Sequence, residues 1–229
     1  MSSYAETRER LETYFDRTAA KTWEALTSDA PVSKIRQTVR EGRDEMRMAM
    51  LSSLPDDLTG ARVLDAGAGA GQMTEALAMR GATVVAADIS PSLLDVAQRR
   101  IPAALHSQIE FRPGDMLDES LGHFDHIVAM DSLIHYKIGD IGAALAKLGA
   151  RCDKSMVFTI APSTAFLKAF WMAGQVFPRS DRSPQIIPHS DRSLQTAVQS
   201  DPALTRFTLG RVRRVSRGFY ISQAMELAA

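Results

Sequence analysis

The sequence has little cysteine and no excess of charge of either sign. Among its 229 residues there is one cysteine, Cys152, which excludes an internal disulfide and disfavours a cysteine-based metal site. Such usage is typical of a reducing, intracellular compartment. The 27 basic and 27 acidic side chains give a formal net charge of zero. This balance provides no general attraction for nucleic acid, and we expect no nucleic-acid partner.

Long hydrophobic runs are also missing. The most apolar stretch, residues 160–176, is interrupted by Pro162 and Lys168 and is too short to span a bilayer. The N-terminal segment MSSYAETRERLETYF is too charged for a secretory signal. We therefore expect a cytoplasmic protein without a transmembrane segment, and peripheral association with a membrane stays open at this point.

The first 57 residues predict a helical arm. Apolar side chains recur at helical spacing within residues 11–15 and again within residues 46–54. Pro31 separates the two predicted helices, and Pro55 ends the second. Charged residues cover the opposite faces, which is the pattern of a solvent-exposed surface.

Residues 58–161 alternate between short apolar strands and helices. Units of this length favour a parallel sheet with helices on both faces, which is an α/β fold of the Rossmann-like kind. The strands are predicted at residues 61–66, 82–87, 108–112, 124–130 and 155–161.

The remainder of the chain departs from this alternation. Residues 162–202 hold five of the ten prolines and predict a cap insertion with one helix, near residues 164–177. Residues 203–229 alternate in polarity and turn at Gly218. This pattern predicts an antiparallel hairpin, which completes a seven-stranded, mostly parallel sheet.

A glycine cluster lies where the first strand gives way to a helix. Gly67, Gly69 and Gly71 allow a sharp turn and a close approach of the backbone to a ligand. A plain tight turn is the alternative. Gln72 stands where a dinucleotide fingerprint would need glycine, and Asp65 precedes the loop where a charge would face a pyrophosphate. Both residues disfavour an NAD(P) oxidoreductase, and Asp65 suits a ligand that carries an amino group.

A second acidic residue, Asp88, ends the next predicted strand. It follows the glycine loop by less than twenty residues. A carboxylate at that place accepts hydrogen bonds from both hydroxyls of a ribose. The loop and Asp88 together predict a nucleoside-containing ligand.

At this point the chain resembles the class I S-adenosylmethionine-dependent methyltransferases. Four segments carry the resemblance, in the order VLDAGAGAG, VVAADIS, FRPGDM and FDHIVAMDSLIHY. The resemblance implies S-adenosylmethionine as cofactor and S-adenosylhomocysteine as product. It assigns cofactor binding to Asp65, Gly67, Gly69, Gly71, Asp88, Ile89, Asp115, Met116 and Met130.

A narrower resemblance extends over nearly the whole chain. The segments YFDRTAAKTWEAL, IHY and APSTAFLKAFWMAGQVFPRSDRSPQIIPH are similar to the magnesium-protoporphyrin IX O-methyltransferases of bacteriochlorophyll-making bacteria. This family methylates a propionate of a metalloporphyrin, and a magnesium-chelatase subunit is a further candidate partner. The resemblance also implies an N-terminal arm that closes over the cofactor.

Two residues are candidates for catalysis. His135 follows the fourth predicted strand, where ligands of open parallel sheets bind, and the family resemblance places a catalytic histidine there. Tyr14 matches the tyrosine that the family's N-terminal arm supplies. A hydrogen-bonded histidine in a helical turn and an ordinary packing tyrosine are the alternatives. Because a propionate is already ionised at neutral pH, we expect these side chains to hold one carboxylate oxygen as donors, with no strong base.

The predicted cap offers an aromatic face for a flat, apolar ligand. A core stripe is the alternative for such a pattern. The residues are Phe166, Phe170, Trp171 and Phe177. The histidines outside this region show no metal-ligand spacing, so we predict no metal site of the protein itself, although His189 is a candidate axial ligand of a porphyrin's magnesium.

Two other functions stay open. One is methylation of a different small molecule, for which the cap would be smaller or less apolar. The other is a non-catalytic subunit that binds the cofactor, which intact Asp65, Asp88 and His135 disfavour. A run of arginines in the last hairpin (Arg211, Arg213, Arg214 and Arg217) predicts a solvated strand face, with an acidic partner as the alternative.

Overall fold

The computed structural model describes residues 3–19, 34–164 and 185–229. The predicted cap helix lies outside the described residues from residue 165 onward. The same holds for the aromatic residues assigned to the substrate, which are Phe166, Phe170, Trp171 and Phe177. Their roles stay predictions.

The arm begins with helix α1 (Tyr4–Thr13), which continues into a π-helical segment (Tyr14–Ala19). Ser3 caps α1 through a reciprocal pair of hydrogen bonds with Glu6. Helix α2 (Lys34–Leu51) follows after the undescribed segment. Both predicted helical regions are therefore helical in the structure where it describes them.

The strands of the central sheet are β1 (Arg62–Ala66), β2 (Thr83–Asp88), β3 (Ile109–Pro113), β4 (Phe124–Ala129), β5 (Cys152–Pro162), β6 (Pro188–His189), β7 (Thr208–Arg217) and β8 (Tyr220–Ala228). Their order in the sheet is β3-β2-β1-β4-β5-β8-β7. Strands β1 to β5 are mutually parallel, and β8 runs antiparallel to both β5 and β7. This arrangement confirms the predicted seven-stranded α/β sheet, and the two-residue strand β6 adds to the end of β5.

Helices cover both faces of the sheet because successive strand residues point to opposite sides. Val63 belongs to the apolar cluster under α2, α3 (Gln72–Met79) and α4 (Pro91–Arg100). Its neighbour Leu64 belongs to the cluster under α1, α5 (Ile138–Gly149) and α6 (Asp191–Gln199). Both strand residues are fully buried, as expected for parallel strands that are covered twice.

Helix α6 corrects the prediction for residues 162–202. The sequence predicts one helix there, ending near residue 177, yet Asp191–Gln199 is also helical. Ser190 caps it by accepting a hydrogen bond from the backbone N–H of Ser193, and Leu194 and Val198 pack into the same apolar cluster as α5. The last part of the predicted cap is therefore a layer of the core.

The C-terminal hairpin has its tip at Gly218 and Phe219, as predicted. Three of the four arginines along β7 (Arg211, Arg214 and Arg217) form hydrogen bonds or ion pairs within the chain. Arg217 forms an ion pair with Glu45, and Arg211 donates to the carbonyl of Ser52, both on or next to α2. Their contacts support the interpretation of this run as a strand face. Among the described helices, none is both long and apolar enough to cross a membrane.

Helix α6 gives a stability test. Replacing buried Leu194 by Ala leaves a cavity against α5, and we expect the free energy of unfolding to fall by about 2–4 kcal/mol. The control Gln195→Ala, on the exposed face of the same helix, should change it by less than about 0.5 kcal/mol. Urea unfolding measures both. Equal values for the two variants would contradict the packing of α6 on the core.

Candidate active site

A cavity of about 330 Å³ opens at the carboxyl ends of the parallel strands. Its walls include the glycine loop after β1 and the segments that follow β2, β3 and β4. Helix α1, the π-helical segment and the tip of the hairpin close it from the outside. This is the edge at which open parallel sheets bind their ligands, because loops diverge there on either side of β1.

The glycine loop lies against the segment that follows β4. Gly67 has a φ of +88°, and a Cβ added there would lie 2.5 Å from the Cβ of Ser132. The backbone N–H groups of Gly67 and Ala68 both donate to the carbonyl oxygen of Ala87. A side chain at position 67 would push these segments apart, so glycine is required by the close approach.

Asp88 joins the end of β2 to the glycine loop. One carboxylate oxygen accepts from the N–H of Gly69 and the other from the N–H of Ser90, each at 2.8 Å. Burial raises the pKa of Asp88, and these two bonds act in the opposite direction. Its side chain lines the cavity, together with Ile89. The predicted ribose-binding acid is thus oriented before any ligand binds.

Asp65 lies on the other side of the glycine loop from the large cavity. It is 1% exposed, and its carboxylate accepts a hydrogen bond of 2.6 Å from the hydroxyl of Thr74. Burial raises its pKa to about 7. It does not line the large cavity but a second one of about 20 Å³ behind the glycine loop, next to Arg43 and Gln72. The structure places this predicted ligand residue behind the loop.

The acid after β3 is held by the N-terminal helix. Asp115 accepts hydrogen bonds from the hydroxyl of Tyr4 at 2.9 Å and from the guanidinium of Arg8 at 2.8 Å. The ring of Tyr4 also stacks on Tyr136, with centroids 4.7 Å apart. Burial, with Asp115 alongside, raises the pKa of Tyr4, so the phenol stays a donor. Met116, next in the chain, lines the cavity, and its contact with a cofactor stays a prediction.

The π-helical segment lies across the mouth of the cavity. Tyr14 and Phe15 both line it, and the ring of Phe15 is 6.2 Å from that of His135. Asp16 fixes the segment by accepting hydrogen bonds from the hydroxyl and N–H of Ser92, at the start of α4. The structure thus brings the two predicted catalytic residues, Tyr14 and His135, to one cavity.

His135 presents an acceptor at Nε2 in the structure, whereas the sequence predicted a donor. Its Nδ1 lies 3.1 Å from the carbonyl oxygen of Gln185, and because a carbonyl only accepts, Nδ1 carries the hydrogen. Burial lowers the pKa of His135. The ring is therefore neutral near pH 7, with the lone pair on Nε2. A neutral imidazole in this tautomer repels a carboxylate at Nε2.

Asp131, which lies directly after β4, was not among the site residues predicted from the sequence. Asp131 has a φ of +56°, a conformation that non-glycine residues rarely adopt. Its carboxylate accepts from Arg43 at 2.8 Å and from the hydroxyls of Tyr220 and Ser222 at 3.1 and 3.3 Å. In the sequence, the residues MDS within the fourth motif could have indicated a functional acid at this position. Its neighbour Met130 lines the cavity, and its contact with a cofactor stays a prediction.

Comparisons with known proteins agree with this geometry. The chain is 56% identical over 226 residues to the magnesium-protoporphyrin O-methyltransferase of Rhodobacter capsulatus, and the match covers 98% of both chains. This chain belongs to the magnesium-protoporphyrin O-methyltransferase family. The predicted family is thereby confirmed.

Further matches to this family are more distant but nearly as long. The Synechocystis sp. (strain ATCC 27184 / PCC 6803 / Kazusa) magnesium-protoporphyrin O-methyltransferase is 26% identical, over 93% of this chain and 92% of its own. A crystal structure of the magnesium protoporphyrin IX methyltransferase from Synechocystis PCC 6803 with bound SAH is 25% identical, with a TM-score of 0.81 over 96% of this chain and 99% of that one. Family models match at residues 63–154 (methyltransferase domain) and 129–229 (magnesium-protoporphyrin IX methyltransferase C-terminus).

In this family member His189 is not available as a magnesium ligand through Nε2. The side chain is buried, and Nε2 lies 2.8 Å from the carbonyl oxygen of Tyr136, to which it donates. Burial lowers the pKa of His189, so the ring is neutral. The hypothesis of an axial ligand at this residue is wrong for that nitrogen, because its lone pair is replaced by a hydrogen.

The contact between the arm and Asp115 gives a test of arm docking. Tyr4→Phe keeps the stacked ring but removes a hydrogen bond to a carboxylate, and we expect amide hydrogens of α1 to exchange about five-fold faster or more. Tyr14→Phe is the matched control, since the hydroxyl of Tyr14 has no bond among the described residues. Hydrogen exchange read by mass spectrometry measures both. Unchanged exchange in Tyr4→Phe would show that this hydroxyl does not hold the arm.

Proposed function

We propose that this protein transfers the methyl group of S-adenosylmethionine to a propionate carboxylate of magnesium protoporphyrin IX, giving the monomethyl ester and S-adenosylhomocysteine. The observation that carries the proposal is the full-length identity of 56% to a magnesium-protoporphyrin O-methyltransferase. The described cavity supports it, because it combines groups suited to a nucleoside with a histidine at an apolar mouth.

The residues present fit an adenosyl cofactor. Asp88 is oriented for two ribose hydroxyls, and Ile89, Asp115 and Met116 line the cavity on the side of β2 and β3. On the opposite side the hydroxyl of Ser132 is buried without a hydrogen-bond partner in the described part of the chain. An unsatisfied hydroxyl in a cavity wall is a group that a polar ligand completes. When bound, the cofactor supplies a methyl group activated by a sulfonium.

His135 would hold the acceptor carboxylate through a shared proton. In the free protein Nε2 is an acceptor, so an ionised propionate binds there only when Nε2 gains a hydrogen. The imidazolium then donates from Nδ1 to Gln185 and from Nε2 to one carboxylate oxygen, which leaves the other oxygen free to attack. Once the ester forms, the negative charge that stabilised the imidazolium is gone and the proton is released. His135 would therefore bind the carboxylate tightly only before the methyl transfer.

The apolar mouth would accommodate the macrocycle and exclude water from the carboxylate. Described residues contribute Val39, Ile134, Ile186, Ile221 and Phe219, of which Phe219 is 57% exposed at the tip of the hairpin. We assign the flat face of the porphyrin to this mouth, and a role of Phe166, Phe170, Trp171 and Phe177 in binding it stays a prediction from the sequence. Removing the hydration of the carboxylate strengthens every remaining polar interaction with it.

A direct assay tests the proposed function. The purified protein, labelled S-adenosylmethionine and magnesium protoporphyrin IX should give a labelled monomethyl ester that mass spectrometry identifies. The dimethyl ester of the same porphyrin is the matched control and should gain no label, since both carboxylates are blocked. No product, combined with no Soret shift on porphyrin titration, would overturn the proposal in favour of a different small-molecule substrate or a non-catalytic subunit.

The proposal has two further parts. A magnesium-chelatase subunit delivers the substrate, and the protein associates peripherally with a membrane. The poor solubility of porphyrins supports both, because a handed-over or membrane-dissolved substrate does not aggregate in water. Co-sedimentation with liposomes tests the membrane association, and recovery of all the protein in the supernatant would contradict it. Co-elution with a purified chelatase subunit in size-exclusion chromatography tests the transfer partner, and separate elution of the two proteins would contradict it.

Replacing His135 tests the shared proton. His135→Ala should lower kcat about 10²- to 10⁴-fold, the usual range for a positioned acid–base group. For the native protein we expect porphyrin affinity to fall as pH rises above the lowered pKa of free His135, because binding then requires uptake of a proton. His135→Gln places an amide donor near the position of Nε2, so it should recover part of the rate and lose this pH dependence.

Stopped-flow single turnovers and fluorescence titrations between pH 5.5 and about 8.5, spanning the range where histidine titrates, supply these values. A pH profile for His135→Gln that matches the native one would contradict the shared proton. A native single-turnover rate in His135→Ala would move the catalytic assignment to Tyr14.

A further inference from the structure

Asp16 joins the π-helical segment to the start of α4. Its Oδ1 accepts hydrogen bonds from the hydroxyl of Ser92 at 2.7 Å, from the N–H of Ser92 at 3.2 Å and from the hydroxyl of Ser90 at 3.3 Å. Ser90 is the N-cap of α4. The first N–H groups of a helix have no partner within it, so the positive end of the helix favours a carboxylate here. The roles proposed for Tyr14 and His135 leave this contact unexplained.

Ser90 connects Asp16 to the predicted ribose-binding acid. Its N–H donates to Asp88 at 2.8 Å, while its hydroxyl donates to Asp16. Ser90 is 0% exposed, so water does not compete for either bond. Asp88 lines the large cavity, and Asp16 lies on the segment that crosses the mouth of that cavity. A ligand that binds Asp88 therefore acts on the Asp16 contact through one buried residue.

The two residues before Asp16 are the aromatic pair at the mouth of the cavity. The rings of Tyr14 and Phe15 meet edge to face, with centroids 5.2 Å apart, and both residues line the cavity. The ring of Phe15 lies 6.2 Å from that of His135. Because these residues adjoin Asp16 in the chain, the place where Asp16 binds determines where both rings lie. Phe15 then keeps water away from the imidazole that faces the acceptor.

The backbone of this segment needs such a contact. Tyr14–Ala19 is π-helical, a rare geometry that occurs mostly at functional sites. The bonds of Tyr4 and Arg8 to Asp115 lie nearer the start of the arm, on α1. They hold α1 but do not determine the orientation of the π-helical turn that follows it. Without the Asp16 contact we expect this turn to shift relative to the sheet.

We propose that Asp16 is a positioning residue for the methyl transfer. Through Ser90 and Ser92 it holds Tyr14 and Phe15 against the side of the cavity that contains His135, and it makes this arrangement depend on the ribose bound at Asp88. The proposal rests on the proposed function, since that function supplies the porphyrin and the adenosyl cofactor. A purely structural contact that stabilises the arm is the alternative, and the experiment separates the two.

Two substitutions of similar size separate the acceptor from the shape of the side chain. Asp16→Asn keeps an oxygen that accepts from both serines, whereas Asp16→Leu removes it. Glu9→Leu removes an exposed carboxylate from α1 and is the control for charge and added apolar surface. Ser92→Ala removes the shortest of the three bonds and is a milder second variant.

Single turnovers with S-adenosylmethionine and magnesium protoporphyrin IX measure the positioning role. Asp16→Leu should lower the rate about 10- to 100-fold, the scale of a small misplacement of reacting groups. Its affinity for S-adenosylhomocysteine, measured by calorimetry, should fall by about five-fold or less, within the range of coupled sites. Asp16→Asn and Glu9→Leu should keep the native rate. Ser92→Ala should lower the rate in the native protein and add little to Asp16→Leu, since both act through one contact.

A pair of cofactor fragments tests the dependence on ribose. 5′-Methylthioadenosine contains the ribose, and adenine lacks it. Saturation with 5′-methylthioadenosine should strengthen the binding of magnesium protoporphyrin IX to the native protein about five-fold or more, as read by fluorescence titration. Adenine should not have this effect. In Asp16→Leu neither fragment should have it, while Asp16→Asn should behave like the native protein.

Each outcome supports or overturns the proposal. A native rate in Asp16→Leu, or equal losses of rate and of S-adenosylhomocysteine affinity, would overturn the positioning role. A loss in Asp16→Asn as large as in Asp16→Leu would do the same. If Asp16→Leu does not fold, a native rate and native coupling in Ser92→Ala would overturn it. Coupling that adenine reproduces, or that persists in Asp16→Leu, would overturn the dependence on ribose. A native protein that does not methylate the porphyrin would instead contradict the proposed function, so the two failures are distinguishable.

Discussion

The structure depends on the close approach of the glycine loop to the segment after β4. Gly67 and Ala68 are bonded to the carbonyl of Ala87, while the α-carbon of Gly67 lies against Ser132. These contacts bring the carboxyl ends of β2, β1 and β4 into one crevice, which is where the loops of an open parallel sheet diverge. Everything that the cavity presents to a ligand is arranged around this point, and a larger residue at position 67 would separate its two halves.

Among the described residues, three carboxylates line that cavity, and the fold supplies donors to each from a different source. Asp88 takes backbone N–H groups, Asp115 takes Tyr4 and Arg8 of the arm, and Asp131 takes Arg43 and the hairpin. A partly buried carboxylate without donors would be costly. The same acids that face the ligand therefore determine where α1 and α2 dock. The contacts that place α1 and α2 over the cavity are therefore the same contacts that orient its carboxylates.

The sheet, the glycine loop and the hairpin were predictable because their signals are local: strand-length apolar runs, glycines at a strand end and a turn at Gly218. Helix α6 was missed although Leu194 and Val198 have helical spacing, since the neighbouring prolines favoured an irregular cap. The pairs that complete the site could not be predicted. Arg43 and Asp131 are 88 residues apart, and Tyr4 and Asp115 are 111 apart. A single sequence contains no signal for such pairings, because they arise only when the sheet order brings distant segments together.

The same limit explains the error in the predicted role of His135. The role of His135 depends on Gln185, 50 residues further along, whose carbonyl fixes the hydrogen on Nδ1. A permanent cation beside the acceptor would stabilise the propionate before the methyl transfer and would therefore slow the reaction. Among the described lining residues, the guanidinium lies instead at the β4 end, with Asp131, while the acceptor side has a titratable ring. A histidine that becomes charged only when a carboxylate arrives binds the substrate and, after the ester removes that charge, has no further attraction for the product.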